Sequence, residues 1–348
     1  VLASPGEFTQ RAFLNGQLDL VQAEAVGDLI ASESRSAHMI AMSQMKGNVS
    51  KILEELRQKL IDFAALIELE LDFTEEDVEF ANRAQLSNLI TELKLEIQKM
   101  INSFNLGNAI KRGIPLIIVG EPNAGKSTLL NRFLEDDRAL VTDIAGTTRD
   151  SIEERFRLGD HLFRITDTAG LRKSKDKVEK LGIERSWRLM SEGHIILFLI
   201  DPLTSVKKNI LELEKDIKLK APSAHLIKIL TKSDLWNGEN YHLDYPECIE
   251  IGIGSGLSQI KSKLSSIIDK TEWNGNSEIL IANIRHAKAL KTSLDSILKA
   301  EKCLSDGSSG EIISYELRDA LESLGSITGE IIADDLLSSV FSRFCIGK

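Results

Sequence analysis

Cysteine, basic charge and long apolar runs are all scarce in this chain. Its three cysteines, Cys248, Cys303 and Cys345, are scattered and odd in number, which argues against a disulfide framework and a cysteine-based zinc site. No run of 18 or more apolar residues exists, so we expect no membrane-spanning helix. Lysine and arginine number 43 against 53 aspartates and glutamates, which argues against a broadly basic nucleic-acid-binding surface but leaves room for a local basic patch. The few, scattered cysteines favour a reducing compartment, and we expect the protein in the cytoplasm.

The first residues lack two further signals. Val1 to Gly6 contain neither an initiator methionine nor the charged and apolar regions of a signal peptide, and we interpret the chain as entered part-way. At 348 residues the chain is too long for one ordinary core, so its length predicts about two domains. An apolar content of 42% and a charged content of 28% are typical of a globular protein.

The pattern of apolar residues changes twice along the chain. Residues 17–108 repeat apolar side chains at helical spacing, residues 109–271 alternate short apolar strands with helices, and residues 272–348 are again helical. The middle pattern is typical of a mostly parallel α/β sheet. Because helical sequence flanks it on both sides, we predict an α/β domain inserted into one discontinuous all-α domain.

Glycine, serine and acidic residues set the expected breaks. Two strand-like runs flank Gly159-Asp160 and predict a hairpin that adds one antiparallel edge to the sheet. In the second helical flank we expect breaks at residues 305–310, at Gly325 and at Gly329. Residues 72–77 are acidic, and we interpret them as a solvated loop between two long helices rather than as a metal site.

The stretch from Gly120 to Ser127 reads Gly-Glu-Pro-Asn-Ala-Gly-Lys-Ser and stands between a strand-like run and a helix-like run. A P-loop requires this context, which makes a chance match in a glycine-containing turn the weaker alternative. The glycines let the backbone wrap a polyphosphate, Lys126 would reach the β- and γ-phosphates, and the Ser127 hydroxyl would ligate Mg²⁺. The predicted phosphate-binding residues are Asn123, Ala124, Gly125, Lys126, Ser127 and Thr128.

Three further stretches make the predicted site specific for GTP. Asp167-Thr168-Ala169-Gly170 ends a strand, where an aspartate holds Mg²⁺ through water and the N–H of Gly170 can sense the γ-phosphate. Thr231-Lys232-Ser233-Asp234 ends another strand. Its carboxylate can accept from guanine N1–H and N2–H₂ together, which adenine does not offer. Gly146-Thr147-Thr148 lies where a mobile loop can bring the Thr148 hydroxyl to Mg²⁺.

These stretches resemble the MnmE (TrmE) family of tRNA-modifying GTPases. The matching segments are Pro122-Asn123, Gly146-Thr147-Thr148-Arg149-Asp150, Asp167 to Arg172, Pro5-Gly6-Glu7-Phe8, Arg11 to Asn15, Ile327-Thr328-Gly329-Glu330 and Phe344-Cys345-Ile346-Gly347-Lys348. The resemblance covers essentially the whole chain and implies a Ras-like P-loop GTPase domain within a helical domain. It also implies that residues 1–16 are a remnant of the family's N-terminal folate-binding domain and of its linker.

The resemblance implies hydrolysis activated by K⁺ in a homodimer. Residue 171 is leucine, which cannot orient water, whereas Ras-like proteins carry glutamine at this position. In the family a K⁺ ion takes the place of an arginine finger, and pairing of two G domains orders the loop that holds it. Carried over to this chain, the K⁺ ligands are Asn123, Thr142, Ile144 and Thr147, and the same nucleotide-contacting loop includes Asp143, Ala145, Gly146 and Thr148.

Four more residues take roles from the resemblance. Glu179 matches the family's glutamate that aligns water through a bridging water, and the alternative is an exposed residue in the first turn of a helix. Arg172 matches an arginine of the switch region. Cys345 matches a terminal cysteine that is a candidate for the modification chemistry, and the alternative is a buried small apolar residue. Lys348 matches a folate-contacting residue.

The resemblance further implies that GTP hydrolysis drives C5 modification, of the carboxymethylaminomethyl type, of the wobble uridine in tRNA. It implies 5-formyltetrahydrofolate or a related folate as a cofactor, and an FAD-dependent partner like MnmG (GidA). Two alternatives are a ribosome-assembly GTPase of the Era or EngA type and a P-loop ATPase, which Asp234 opposes. The chain departs from the expected pattern at Thr231, where asparagine is usual, at Gln17, where we expect lysine, and in the guanine-backing loop near residues 250–254.

Overall fold

The computed structural model describes residues 2–72, 83–137, 153–167, 194–236, 241, 245, 247–270, 280–330, 337, 340, 341 and 344. Two compact units share the chain: residues 1–111 with 279–348 form one, and residues 112–278 form the other. The first unit is helical and discontinuous in sequence, and the second contains the β-sheet. This arrangement confirms the predicted fold class.

The helices are α1 (Glu7–Leu14), α2 (Leu20–Ala31), α3 (Arg35–Met45), α4 (Asn48–Asp72), α5 (Arg83–Arg112), α6 (Lys126–Asp137), α7 (Lys207–Lys220), α8 (Leu257–Lys270), α9 (Ile284–Ser305) and α10 (Gly310–Thr328). The strands are β1 (Ile114–Gly120), β2 (Glu153–Leu158), β3 (His161–Asp167), β4 (Ile195–Ile200), β5 (His225–Leu230) and β6 (Ile249–Glu250). None of the helices in the described ranges has the length and apolar character needed to cross a membrane. Most of the predicted acidic loop at 72–77 lies outside the described residues.

The core of the helical unit draws on both flanks of the chain. Leu56 and Phe63 of α4 and Ile97 of α5 belong to the predicted apolar stripes and are fully buried. Leu290 of α9 and Leu317 of α10 are buried in the same cluster. Each flank alone would leave its apolar stripe in water, so the hydrophobic effect favours their pairing. The predicted pairing of the two flanks is therefore confirmed.

Glycine does not break α10 where we predicted. Gly325 is buried inside the helix, and its carbonyl accepts hydrogen bonds from the N–H groups of Gly329 and Glu330, both at 3.0 Å. The helix ends at Gly329, whose φ of 92° is a left-handed conformation that glycine adopts without strain. The break predicted at Gly325 was wrong because a glycine inside a helix costs only about 1 kcal/mol. Burial of the neighbouring apolar residues Leu324 and Ile327 outweighs that cost.

A largely buried ionic network joins α2 to the start of α9 and the end of α10. The Glu24 carboxylate accepts hydrogen bonds from Arg285 Nε at 2.9 Å and Nη2 at 3.1 Å, and it lies 2.7 Å from His286 Nε2. Arg285 also donates to the carbonyls of Ser326 at 2.6 Å and Ile327 at 3.0 Å. His286 Nε2 also lies 3.0 Å from Arg285 Nη2. Among the described residues, its buried Nδ1 has no hydrogen-bond partner. Burial without an acceptor at Nδ1 therefore favours the neutral imidazole.

The network makes the stability of the helical unit sensitive to acid. Burial lowers the pKa of His286 below its ordinary 6.5, although Glu24 acts in the opposite direction. Burial acts to raise the pKa of Glu24, but hydrogen bonds from His286 and Arg285 hold it well below 4.5. As pH falls through 6.5, the unfolded chain takes up a proton that native His286 resists, and below 4.5 the same holds for Glu24. We expect the free energy of unfolding to decrease over both ranges.

The test is the unfolding temperature of the parent, of His286→Gln and of His38→Gln between pH 7 and 5. His38 is exposed on α3, so its variant should follow the parent. The His286→Gln variant should show a flatter slope with pH because it lacks the buried imidazole. Equal slopes for all three proteins would contradict the assignment of this pH dependence to His286.

In the part of the chain that the structure describes, the sheet has six strands in the order β2-β3-β1-β4-β5-β6. β2 runs antiparallel to β3, and all the other neighbours are parallel. The hairpin predicted around Gly159-Asp160 is confirmed as the β2–β3 pair, with Leu158 opposite His161. β4 is buried at every residue, as expected of a strand covered on both faces. The carboxyl ends of β1, β3, β4 and β5 therefore meet at one edge of the sheet.

Near the carboxyl end of the chain, aromatic residues pack against α1 and α2. Phe341 is 3% exposed and clusters with Leu20 and Ala23, and its ring centroid lies 6.5 Å from that of Phe13. Phe344 lies beside Gly27, where an added Cβ would be 3.2 Å from the aromatic ring. The helical pattern of residues 272–348 also predicts a helix over 333–344, most of which lies outside the described residues, so it stays a prediction.

Candidate nucleotide-binding site

The loop between β1 and α6 has the backbone of a P-loop. Gly120 passes so close to β4 that an added Cβ would lie 2.5 Å from the Leu199 carbonyl oxygen, so no larger residue fits there. Asn123 and Gly125 have φ values of 65° and 89°, which turn the chain back over the end of the strand. Ala124 between them is fully buried and anchors the loop. The loop leads directly into α6, whose first N–H groups form an anion-binding site.

Lys126 is the charged group of this loop. Its side chain is largely buried, and Nζ donates to the carbonyl oxygens of Gly120 at 2.9 Å and Glu121 at 2.7 Å. These contacts hold the ammonium group over the loop rather than in solvent. A positive charge beside a helix N-terminus suits a polyphosphate. The predicted role of Lys126 therefore fits its position.

One oxygen suited to Mg²⁺ lies at this edge of the sheet. Ser127 is the second residue of α6 and is exposed, so its hydroxyl is available to a ligand. Asp167 ends β3, and its neighbour across the ladder is Ile118, two residues before Gly120. Within the described ranges no group of three histidine, cysteine, aspartate or glutamate residues could hold a metal. Mg²⁺ binds well through one or two protein oxygens, phosphate and water, and the Ser127 hydroxyl is one such oxygen. The side chain of Asp167 lies outside what the structure describes, so its role stays a prediction.

Many of the predicted site residues lie outside the part of the chain that the structure describes, so their roles stay predictions. They are Thr142, Asp143, Ile144, Ala145, Gly146, Thr147, Thr148, Thr168, Ala169, Gly170, Arg172, Glu179, Cys345 and Lys348.

The guanine motif begins at the end of β5 with Thr231, which is 3% exposed. Its N–H and hydroxyl both donate to the Ile200 carbonyl, at 2.9 and 3.3 Å, and its own carbonyl accepts from Trp236 Nε1 at 3.1 Å. These bonds fix the segment that leads to Lys232, although asparagine is the usual residue at position 231. The Thr231 hydroxyl thus serves the fold of the motif.

Lys232 is held by Asp201, a residue that the sequence reading missed. Lys232 has a left-handed φ of 59°, and its Nζ lies 2.5 Å from Asp201 Oδ2. The buried Asp201 carboxylate also accepts from Thr204 Oγ1 at 2.8 Å and from the Leu203 N–H at 3.1 Å. Burial acts to raise the pKa of Asp201, but these three hydrogen bonds outweigh it and hold the pKa below its ordinary value. Asp201 is therefore an anion that orients Lys232.

Asp234 meets the loop that follows β6. Its Oδ1 accepts a hydrogen bond from the Ile253 N–H at 3.0 Å. Gly252 allows this approach, because an added Cβ would lie 2.6 Å from Ser233 Oγ and 2.9 Å from Asp234 Oδ1. Asp234 itself is exposed, so its carboxylate remains accessible to a base. The guanine-backing loop, which we could locate only near residues 250–254, thus contacts Asp234 through Ile253.

Arg132 is the second residue that sequence reasoning missed. It projects from α6, and its guanidinium donates through Nη1 to the Gly252 carbonyl at 2.9 Å and through Nη2 to the Ser255 carbonyl at 3.0 Å. Helix α6 and the loop between β6 and α8 are therefore directly hydrogen-bonded. No motif signals this contact, because carbonyl acceptors belong to every residue type.

The sequence of this chain is similar to a known family of proteins. The family model described as the MnmE helical domain matches residues 20–345. A curated protein of Christiangramia forsetii named tRNA modification GTPase MnmE is 43% identical, and the match covers 99% of this chain and 77% of that protein. The protein of the same name from Bacteroides thetaiotaomicron is 42% identical over 100% of this chain and 77% of its own length. The chain belongs to the MnmE family. As an MnmE-family member it is a GTPase, which agrees with its P-loop and with Asp234.

Two solved structures also resemble this MnmE-family chain. A variant of Aquifex aeolicus Era bound to GDP·AlF4⁻ is 21% identical over 53% of this chain and 66% of its own, with a TM-score of 0.33. The G domain of the T. maritima FeoB iron transporter is 20% identical over 44% of this chain and 97% of its own, with a TM-score of 0.32. TM-scores this low carry no argument about the fold. The fold assignment therefore rests on the sheet order and the loops described above.

Proposed function

We propose that this chain is a K⁺-activated GTP hydrolase whose G domains act in pairs, and that hydrolysis drives C5 modification of the wobble uridine of tRNA in the cytoplasm. An FAD-dependent partner like MnmG acts with it, and a folate such as 5-formyltetrahydrofolate supplies the one-carbon unit. Membership of the MnmE family, whose curated members are named for tRNA modification, supports the tRNA substrate. The homodimer, the partner and the folate are further parts of the proposal.

The K⁺ proposal rests on the position and backbone conformation of Asn123. It is exposed in the loop between β1 and α6, and its left-handed φ of 65° makes it one of three non-glycine residues with positive φ in the described chain. Asparagine tolerates this conformation better than most residues, and it adds an amide oxygen that can bind a cation. A monovalent cation at this position would neutralise charge that develops on the phosphates.

Leu171 strengthens the need for such a cation. Residue 171 directly follows Gly170, where Ras-like proteins place a glutamine that orients the attacking water. A leucine side chain has no polar atom for that task. In this proposal Glu179 positions the water, Arg172 belongs to the switch region, and Thr142, Ile144 and Thr147 complete the K⁺ site. Ser127, Thr148 and Asp167 serve Mg²⁺.

The test is GTP turnover in matched KCl and NaCl at two protein concentrations. We expect turnover at least about tenfold faster in KCl, with specific activity rising with protein concentration, because the cation supplies transition-state stabilisation that pairing completes. The Asn123→Gly variant should lose the K⁺ stimulation and still bind GTP, because glycine keeps the positive φ without the amide. Equal first-order turnover in both salts would instead favour a conventional switch GTPase of the Era or EngA type.

The tRNA step needs its own readout. Unmodified tRNA is incubated with GTP, the folate, the FAD-dependent partner and either the parent or Asn123→Gly, and the wobble nucleoside is then analysed by mass. A mass increase with the parent and little with Asn123→Gly supports coupling of hydrolysis to modification. Equal modification with both proteins would separate the two activities.

A further inference from the structure

We propose that Arg132 is a positioning residue for guanine selectivity, because it holds the base-side loop against Asp234 from the helix that binds the phosphates. The base-side loop is defined here as residues 251–256, between β6 and α8. The inference rests on GTP as the nucleotide of this site. It adds to the proposed function a residue whose effect is on base recognition rather than on hydrolysis.

The base-side loop is fixed at its beginning by the sheet. The Ile251 N–H donates to the Leu230 carbonyl at 2.8 Å, and the Ile251 carbonyl accepts from the Ser233 N–H at 3.1 Å. These two bonds join the start of the loop to β5 and to the guanine motif. Beyond Ile251 the chain leaves the sheet, and Ile253 is 88% exposed, so apolar packing does not hold that residue.

Arg132 holds the exposed part of the loop. Its two terminal nitrogens reach Gly252 and Ser255, whose carbonyls lie on either side of Ile253. Inside this span the Gly252 N–H donates to Ser255 Oγ at 3.2 Å and the Ser255 N–H donates to the Gly252 carbonyl at 3.3 Å. The planar guanidinium suits two acceptors at once, and a lysine ammonium does not match that geometry.

The position of the base-side loop determines the orientation of the Asp234 carboxylate. The Ile253 N–H, between the two carbonyls that Arg132 binds, donates to Asp234 Oδ1. Without Arg132 this N–H would move with the loop, and the carboxylate would lose the donor that orients it toward N1–H and N2–H₂ of guanine. An adenine base offers no such pair of donors to a carboxylate, so its binding does not depend on how Asp234 is oriented. The loss should therefore fall on guanine nucleotides.

The test measures dissociation constants of GDP and ADP for the parent, Arg132→Met, Arg132→Lys and Glu135→Gln. Glu135 is an exposed residue on the same helix and serves as the control. We expect Arg132→Met to raise the dissociation constant of GDP about tenfold and that of ADP less than about twofold, because hydrogen bonds from a charged donor are lost only on the base side. Arg132→Lys should behave like Arg132→Met.

A second comparison separates positioning from a general loss of structure. In the Asp234→Asn background, Arg132→Met should change the GDP-to-ADP ratio by less than about twofold, because the two residues act through one contact. Equal loss of GDP and ADP affinity, an unchanged ratio, or full rescue by Arg132→Lys would each overturn the proposal. This test measures nucleotide binding and does not depend on GTP hydrolysis. Absence of K⁺-stimulated turnover would therefore contradict the proposed hydrolysis mechanism without affecting the role of Arg132 in guanine selectivity.

Discussion

Substitution of Lys126 by methionine is expected to lower GTP turnover by about 10²–10³-fold, the usual cost of losing one preorganised electrostatic donor. Lys126 lies in the P-loop with its ammonium group bonded to the Gly120 and Glu121 carbonyls. Methionine fills a similar volume, so the buried stem is retained while the charge beside the phosphates is removed. The measurement is steady-state GTP hydrolysis in KCl, together with the dissociation constant of GTP.

Lys263→Met is the matched control. Lys263 is an exposed lysine on α8 in the same α/β unit. The same change of side chain there removes a charge that is not part of the predicted nucleotide-binding site. Its turnover should stay within about twofold of the parent, as expected of an exposed substitution. If Lys126→Met hydrolysed GTP as fast as Lys263→Met, the P-loop assignment of Lys126 would be wrong.

Substitution of Glu24 by glutamine is expected to lower the free energy of unfolding of the helical unit by about 3–5 kcal/mol, the cost of breaking a buried ion pair from one side. The amide cannot match the charge of Arg285, which is bonded to Glu24 through two nitrogens. Asn283 also donates to Glu24, at 2.9 Å, so a third donor loses its anionic acceptor. The free energy of unfolding of this unit is measured by urea unfolding, with hydrogen exchange in peptides from α2 and α9 as the probe.

Two variants sharpen this prediction. Glu54→Gln removes an exposed carboxylate from α4 and should cost less than about 0.5 kcal/mol. The double variant Glu24→Leu with Arg285→Met replaces the ion pair by apolar side chains and should recover part of the loss, because the cost of an unpaired buried charge disappears. Recovery should stay incomplete, since Asn283 and the Ser326 and Ile327 carbonyls lose these partners. A loss below about 1 kcal/mol for Glu24→Gln would place this pair with exposed ion pairs and contradict its structural importance.

Much of the α/β unit could be predicted from the sequence because its signals are local. The strand before Gly120, the hairpin at Gly159-Asp160 and the loop ending in Lys126 depend on short-range patterns of apolar residues and glycine. The pairing of the helical flanks was also predictable, since each flank showed an apolar stripe without an evident partner. Gly325 was misread because tertiary burial overrode its weak local preference.

The contacts that hold the base side of the site could not be predicted in the same way. Arg132 and Gly252 are 120 residues apart in the chain, and the bond between them uses a backbone carbonyl. Asp201 follows a buried strand, but its pairing with Lys232 depends on the order of β4 and β5 in the sheet. The base-side loop departs from the expected pattern of a guanine-backing loop and contacts Asp234 through a main-chain N–H. Such contacts leave no residue-type signature.

The discontinuity of the helical unit has a consequence for synthesis on the ribosome. α4 and α5 emerge early, but their buried partners in α9 and α10 are made only after the whole α/β unit. At about 5–20 residues per second, the early helices wait roughly 10–45 s for those partners. During that interval the sheet of the α/β unit can already form, because residues 112–278 contain the six strands that the structure describes. The α/β unit can thus fold before the core of the helical unit is complete, while the apolar faces of α4 and α5 remain exposed to chaperones.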